Sequence, residues 1–252
     1  PGRIAAAMTP RTRVLLLNSP NNPSGVIYPA PVLVSVRDAL ARRGEELGTR
    51  VTVLSDEPYA DIVYDGRTVP ETLSIFTDMI LCTSYSKSLA LPGERIGYAV
   101  VHPGAEDGDR LFAAMVQAHR SLGFVNAPAT FQRVIQRVYD ALDALPDGAA
   151  GEGGALVDVR RYEVRRNRLH GILTEAGFEC RLPEGALYLF PRAMIADDVA
   201  FAMACTKEGI LLVPGSGFGM PGFVRLAFCV DEGMIERSRE AFLRVGRTFG
   251  TR

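Results

Sequence analysis

In the stretch SYSKSLALPGERIGY (residues 84 to 98), Lys87 stands among Ser84, Ser86 and Ser88, just after the apolar run MILC and eight positions before Arg95. An amine in such a turn can act as a nucleophile or carry a proton, and nearby hydroxyls and a guanidinium can hold an anion. Other capable groups also follow apolar runs. Asn22, Pro23 and Gly25 come after RVLLLN, and Asp56 and Tyr59 come after VTVLS. Ligands of open α/β sheets sit beyond the carboxyl ends of the strands, so these residues are candidates to share one crevice. Each alone has an ordinary structural explanation: N-P-S-G is a good turn, an acid closing a strand is a common cap, and a lysine in a serine-rich loop is usually solvated.

The elements that must position these residues alternate in the α/β manner. Apolar runs at 13 to 18, 51 to 57, 79 to 84 and 96 to 101 read as strands, and amphipathic segments at 30 to 47, 107 to 120 and 127 to 145 read as helices. The connection between MILC and IGYAVV is rich in Ser, Pro and Gly and too short for a helical crossover, so that pair is expected to be antiparallel within an otherwise parallel sheet. Asn126, ahead of Ala-Pro, is a candidate helix cap. The loop-like PDGAAGEGG at 146 to 154 marks a boundary, giving a first domain at 1–148 and a second at 149–252. The second is expected to be a smaller α+β domain, with helices at 155 to 176, 197 to 208 and 231 to 247, and strands at 178 to 182, 186 to 191, 210 to 213 and 223 to 228.

Composition narrows the function classes. The chain has 252 residues, 47% of them hydrophobic and 23% charged, which suits an ordinary globular protein with a sizeable core. A formal net charge of -1 with no basic stripe argues against nucleic acid as a partner. The cysteines (82, 180, 205 and 229) and histidines (102, 119 and 170) lack metal-ligand spacing, so no metal site is expected, and reduced thiols fit a cytoplasmic location. No apolar run reaches the length of a membrane span, so no membrane partner is expected.

Taken together, NSPNNPSG, SDEPYADIVYDG, SYSKSLALPGERIGY and FVRLAF occur in the order found in class I/II aminotransferases, and the chain resembles that family over nearly its whole length. The resemblance implies the large domain of a fold-type I pyridoxal-phosphate-dependent transferase, present in part, followed by the small domain. It implies pyridoxal 5'-phosphate as cofactor, held by Lys87 as a Schiff base. Lys87 would then move the substrate α-proton. By the same resemblance Asp56 pairs with the protonated ring nitrogen, and Asn22 and Tyr59 hydrogen-bond the ring's phenolic oxygen. Ser84, Ser86 and Arg95 hold the phosphate, and Asn22 and Arg225 bind the substrate, Arg225 clamping its α-carboxylate. The implied reaction is ping-pong amino-group transfer from an amino acid to a 2-oxo acid, in a homodimer. A lyase of the same fold, or a non-catalytic sensing domain of a regulator, would use the same residue types.

Family members carry a long segment ahead of the N-x-P motif, supplying a phosphate loop, an aromatic residue stacked on the cofactor ring and residues that reach the partner subunit. Nothing similar precedes NSPNNPSG here, so the sequence is expected to be N-terminally truncated relative to the family. Two strands of its sheet should then become edges, and these residues alone should hold cofactor weakly. The choice of amino acid and 2-oxo acid is not legible in the sequence.

Overall fold

The computed structural model describes residues 1–144 and 157–250, and these form two compact units. The first takes in Pro1–Ser19, Ile27–Ile62 and the chain from Thr68 to residue 144; the second takes in Pro20–Val26, Val63–Arg67 and the chain from Asp158 onward. The boundary expected at 148/149 lies outside the described residues, as do the expected helix ends at 145 and 155.

In the first unit a short helix α1 (Gly2–Ala7), on which the sequence reading placed no element, precedes β1 (Val14–Asn18), α2 (Ala30–Leu47) and β2 (Thr52–Asp56). Then come β3 (Met79–Ser84), α3 (Tyr85–Ser88), β4 (Gly97–Val101), α4 (Gly108–Ser121) and α5 (Ala129–Asp143). The sheet order is β1-β2-β3-β4; β1, β2 and β3 are parallel, and β4 returns antiparallel to β3 as expected. Helix α2 enters through Pro29 and ends on Gly48 in the left-handed region. Its Leu33, Val36 and Leu40 bury against Leu17, Val51, Val53 and Met79, and this stripe fixes which face of β1 and β2 is core. The edge strands β1 and β4 keep exposed side chains, with Leu16 63% and Tyr98 48% accessible. Asn126 does not cap α5. The N-cap is Pro128, two residues further on, and no side chain caps it.

The second unit holds α6 (Val159–Glu175), β5 (Tyr188–Leu189), α7 (Asp198–Lys207), β6 (Val213–Pro214), β7 (Val224–Ala227) and α8 (Glu232–Phe249). Its strands form an antiparallel sheet ordered β5-β7-β6. The strands of the second unit are shorter than the sequence pattern predicts. No strand forms at 178 to 182: the FECRL alternation finds no ladder, and Phe178 instead packs its ring edge-on to Phe201 and Phe242. The strand expected at 186 to 191 shrinks to Tyr188–Leu189, because Ala186 is left-handed and Pro191 has no N–H to give. The one expected at 210 to 213 becomes the two-residue β6, ended by the turn at Gly215.

Among the described residues, Arg166 of α6 is the largest fully buried side chain. It makes paired 2.9 Å bonds to both Asp65 carboxylate oxygens, donates to the Pro183 carbonyl and lies 4.6 Å over the Tyr64 ring. This ties Val63–Arg67 into the second unit. Removing the guanidinium strands Asp65 and opens a core space, so Arg166→Ala is expected to cost about 3 kcal/mol, and Asp65→Asn about 1 kcal/mol because that acid is partly solvated. Urea midpoints of the two variants should fall in that order.

Candidate active site

The carboxyl ends of β1, β2 and β3 lie along one edge of the sheet, because the strands are parallel and in register: Asn18 stands opposite Asp56, and Asp56 opposite Cys82. The two acids in SDE have different fates. Glu57 is buried, with Oε1 accepting from Ser55 Oγ at 2.6 Å and Thr72 Oγ1 at 2.5 Å, which makes it part of the packing. Asp56 is half-buried, and its Oδ2 accepts a 3.0 Å bond from Asn18 Nδ2. Burial pushes its carboxyl above the usual carboxylate range, against the pull of the Asn18 amide. Cys82, the facing thiol, is raised by burial and by the charge of Asp56. Tyr59, three residues past Asp56, is buried.

The chain leaves β3 into the four-residue helix α3, where Ser84 Oγ accepts from the Ser86 N–H and caps the turn. Lys87 sits in that turn, half-buried, with no ion pair among the described residues. Two left-handed residues, Ala90 and Arg95, fold the following loop back, and the Tyr85 N–H donates to the Ile96 carbonyl. Ser84 then faces Gly97 across the antiparallel pair. A Cβ on Gly97 would lie 2.3 Å from the Thr83 carbonyl oxygen, so only glycine lets the returning strand approach this closely. Arg95 is exposed, and its Nη1 donates to the Pro92 carbonyl. Asp56, Tyr59, Ser84, Ser86, Lys87 and Arg95 thus all belong to the first unit.

Asn22 and Arg225 belong to the second unit, and there they meet: Arg225 Nη1 donates to Asn22 Oδ1 at 2.9 Å. The guanidinium lies 4.4 Å from the ring centre of Tyr188 and 4.7 Å from that of Phe218. A planar cation between two aromatic faces is fixed in orientation without losing its charge to a carboxylate. Beside it runs a mostly apolar cleft of about 510 Å³, lined by Asn22, Pro23, Phe190, Phe218 and Phe223 among others.

Sequence reasoning passed over Asn18, Tyr188 and Phe218. The signal for Asn18 was its place at the last position of its strand, as Asp56 is of the next; Tyr188 reads as core and Phe218 as part of a glycine turn until Arg225 is seen against both. Among the described residues no group of three or more His, Cys, Asp or Glu side chains could hold a metal ion, and no helix is long and apolar enough to cross a membrane.

The first unit carries a mixed, mostly parallel sheet with a lysine turn at its carboxyl edge, the α/β arrangement in which ligands sit beyond the strand ends. The chain belongs to the aminotransferase class I and II family, whose model matches residues 3–242. The aspartate/prephenate aminotransferase of Thermus thermophilus is 34% identical over 97% of this chain and 59% of its own length. The aspartate aminotransferase of Bacillus subtilis is 30% identical over 97% and 60%. Among solved structures, an amino transferase from Eubacterium rectale superposes with a TM-score of 0.89 at 37% identity, covering 99% of this chain and 59% of that one. The Thermus thermophilus aspartate aminotransferase with maleate superposes with a TM-score of 0.70 at 28% identity, over 97% and 59%. The chain therefore spans about three fifths of the length of these relatives.

An acid whose pKa is raised by folding binds its proton more tightly in the folded state, so its contribution favours folding at low pH and is lost as pH rises through the folded pKa. Asp56→Asn removes that penalty and keeps an acceptor for Asn18. The variant is expected to melt higher than the parent at pH 8, with the gain shrinking as pH falls and gone below the ordinary aspartate pKa of about 3.9, in cofactor-free thermal scans.

Proposed function

We propose that the protein is a pyridoxal 5'-phosphate-dependent aminotransferase, moving an amino group from an amino acid to a 2-oxo acid by a ping-pong route. The observation that carries the reading is Asp56. It is a half-buried carboxylate with one oxygen anchored by a neutral amide and the other accepting no hydrogen bond among the described residues, at the same sheet edge as the Lys87 turn. Such a group suits a protonated ring nitrogen, and the neighbouring donors suit a phosphate, so the residues fit this cofactor. When bound, the cofactor supplies an aldehyde for an amine to capture and a ring that withdraws electrons.

In this reading Lys87 attaches the cofactor covalently and, when freed, takes the substrate α-proton and returns it. Asp56, ionised beside the cation, keeps a proton on the ring nitrogen. Ser84 retains its hydroxyl proton as a donor, since its oxygen accepts from Ser86 N–H; with Ser86 and Arg95 it binds the phosphate. Arg95 does so after giving up its contact to the exposed Pro92 carbonyl. Tyr59 and the amide N–H of Asn22 donate to the phenolic oxygen, Asn22 Oδ1 being taken by Arg225. Arg225, held between Tyr188 and Phe218, binds the α-carboxylate through its remaining donors. We further infer a cytoplasmic homodimer without nucleic-acid or membrane partners. Aspartate, named in the relatives' activities, is the amino donor to try first.

Borohydride reduction of the cofactor-loaded protein, followed by peptide mapping, is expected to mark Lys87; a label on another lysine would refute its role. Arg225→Ala should raise the KM for aspartate at least tenfold while cofactor absorbance is retained. Unchanged KM would remove Arg225 from the site.

A further inference from the structure

Asn18 has no part in the roles above, yet it makes the two hydrogen bonds that define the carboxylate on which they rest. Its Nδ2 donates at 3.0 Å to Asp56 Oδ2 and at 2.9 Å to the Asp56 main-chain carbonyl. The contact follows from register, because the two residues are directly paired across β1 and β2 and their side chains leave the same face of the sheet. One amide nitrogen thus grips the side chain and the backbone of a single residue, which restricts the carboxyl group's rotation and leaves Oδ1 for a further donor. An amide is the appropriate choice. A lysine or arginine at this position would form an ion pair and neutralise the carboxylate, and an aspartate would repel it; the neutral amide fixes its geometry while leaving its negative charge for a cationic ligand.

We propose that Asn18 is a positioning residue for Asp56, holding Oδ2 through its amide so that Oδ1 meets the cationic ring nitrogen of the cofactor. The benefit to the cofactor rests on the reading of Asp56 given above; the Asn18–Asp56 coupling does not. The titratable group facing Asp56 from β3 is Cys82, and from β1 the facing side chain is Asn18 itself.

The coupling is tested on the cofactor-free chain by NMR, with 13C-carboxyl aspartate and 15N asparagine labels and Asp56→Asn assigning the carboxyl signal. In the unsubstituted chain the Asn18 side-chain N–H resonances should titrate with the Asp56 midpoint and lose that dependence in Asp56→Asn. Asn18→Leu, close in shape but without a donor, should move the Asp56 midpoint up by about one pH unit. Asn18→Gln should bring it back towards the parent value, and Cys82→Ala should not raise it. Asn18 resonances that ignore the Asp56 titration would overturn the proposal without any variant needing to fold, as would a midpoint unchanged in a folded Asn18→Leu. Binding of pyridoxal 5'-phosphate is measured separately and should weaken about fivefold or more in Asn18→Leu. If the titrations behave as stated and neither Asn18→Leu nor Asp56→Asn alters that binding or its absorption spectrum, the failure lies in the role given to Asp56 and the coupling stands.

Discussion

The candidate site depends first on the register of three parallel strands. Because β1, β2 and β3 run the same way, their carboxyl ends arrive at one edge: Asn18 stands opposite Asp56, and Asp56 opposite Cys82, two residues before β3 ends at Ser84. That register is enforced from below. Leu17 and Val53 face the core under α2, and a slip of one residue would turn them outward and bury their polar neighbours. The same alternation separates Asp56 from Glu57, so adjacent acids end as a candidate for chemistry and a packed acceptor for Ser55 and Thr72.

Around that edge the chain uses glycine and left-handed residues where the backbone must come close. Gly97 lets β4 approach the Thr83 carbonyl, and the turns at Ala90 and Arg95 fold the return so that the first residue of α3, Tyr85, donates to the Ile96 carbonyl. The lysine therefore sits on a short helix tied to the end of the sheet rather than on a free loop, as the role proposed for it requires.

In the second unit, orientation comes from a different device. Arg225 is kept in place by aromatic faces and one neutral acceptor, Asn22, so its charge is not spent on an internal carboxylate. Arg166, in the same unit, shows the contrasting use of a guanidinium, since its charge is matched internally by Asp65 and Glu163 and it holds the fold together. Both arginines carry a cation–π contact, and what distinguishes Arg225 is the absence of an ion pair among the described residues.

The sequence by itself determined the α/β alternation, the strands of the first unit, the antiparallel return of β4 and the residue types at the strand ends, because periodicity and turn chemistry are local and leave a local trace. Family membership was legible for the same reason, in four short motifs kept in order. The strands of the second unit read longer in sequence because FECRL and its neighbours alternate like strands, while pairing was decided by a left-handed alanine, a proline and the aromatic packing of Phe178. Only the tertiary structure decided that Asn18 grips Asp56, 38 residues away, and that Asn22 meets Arg225 across 203 residues. Such contacts follow from register and long-range packing, which no window of sequence contains.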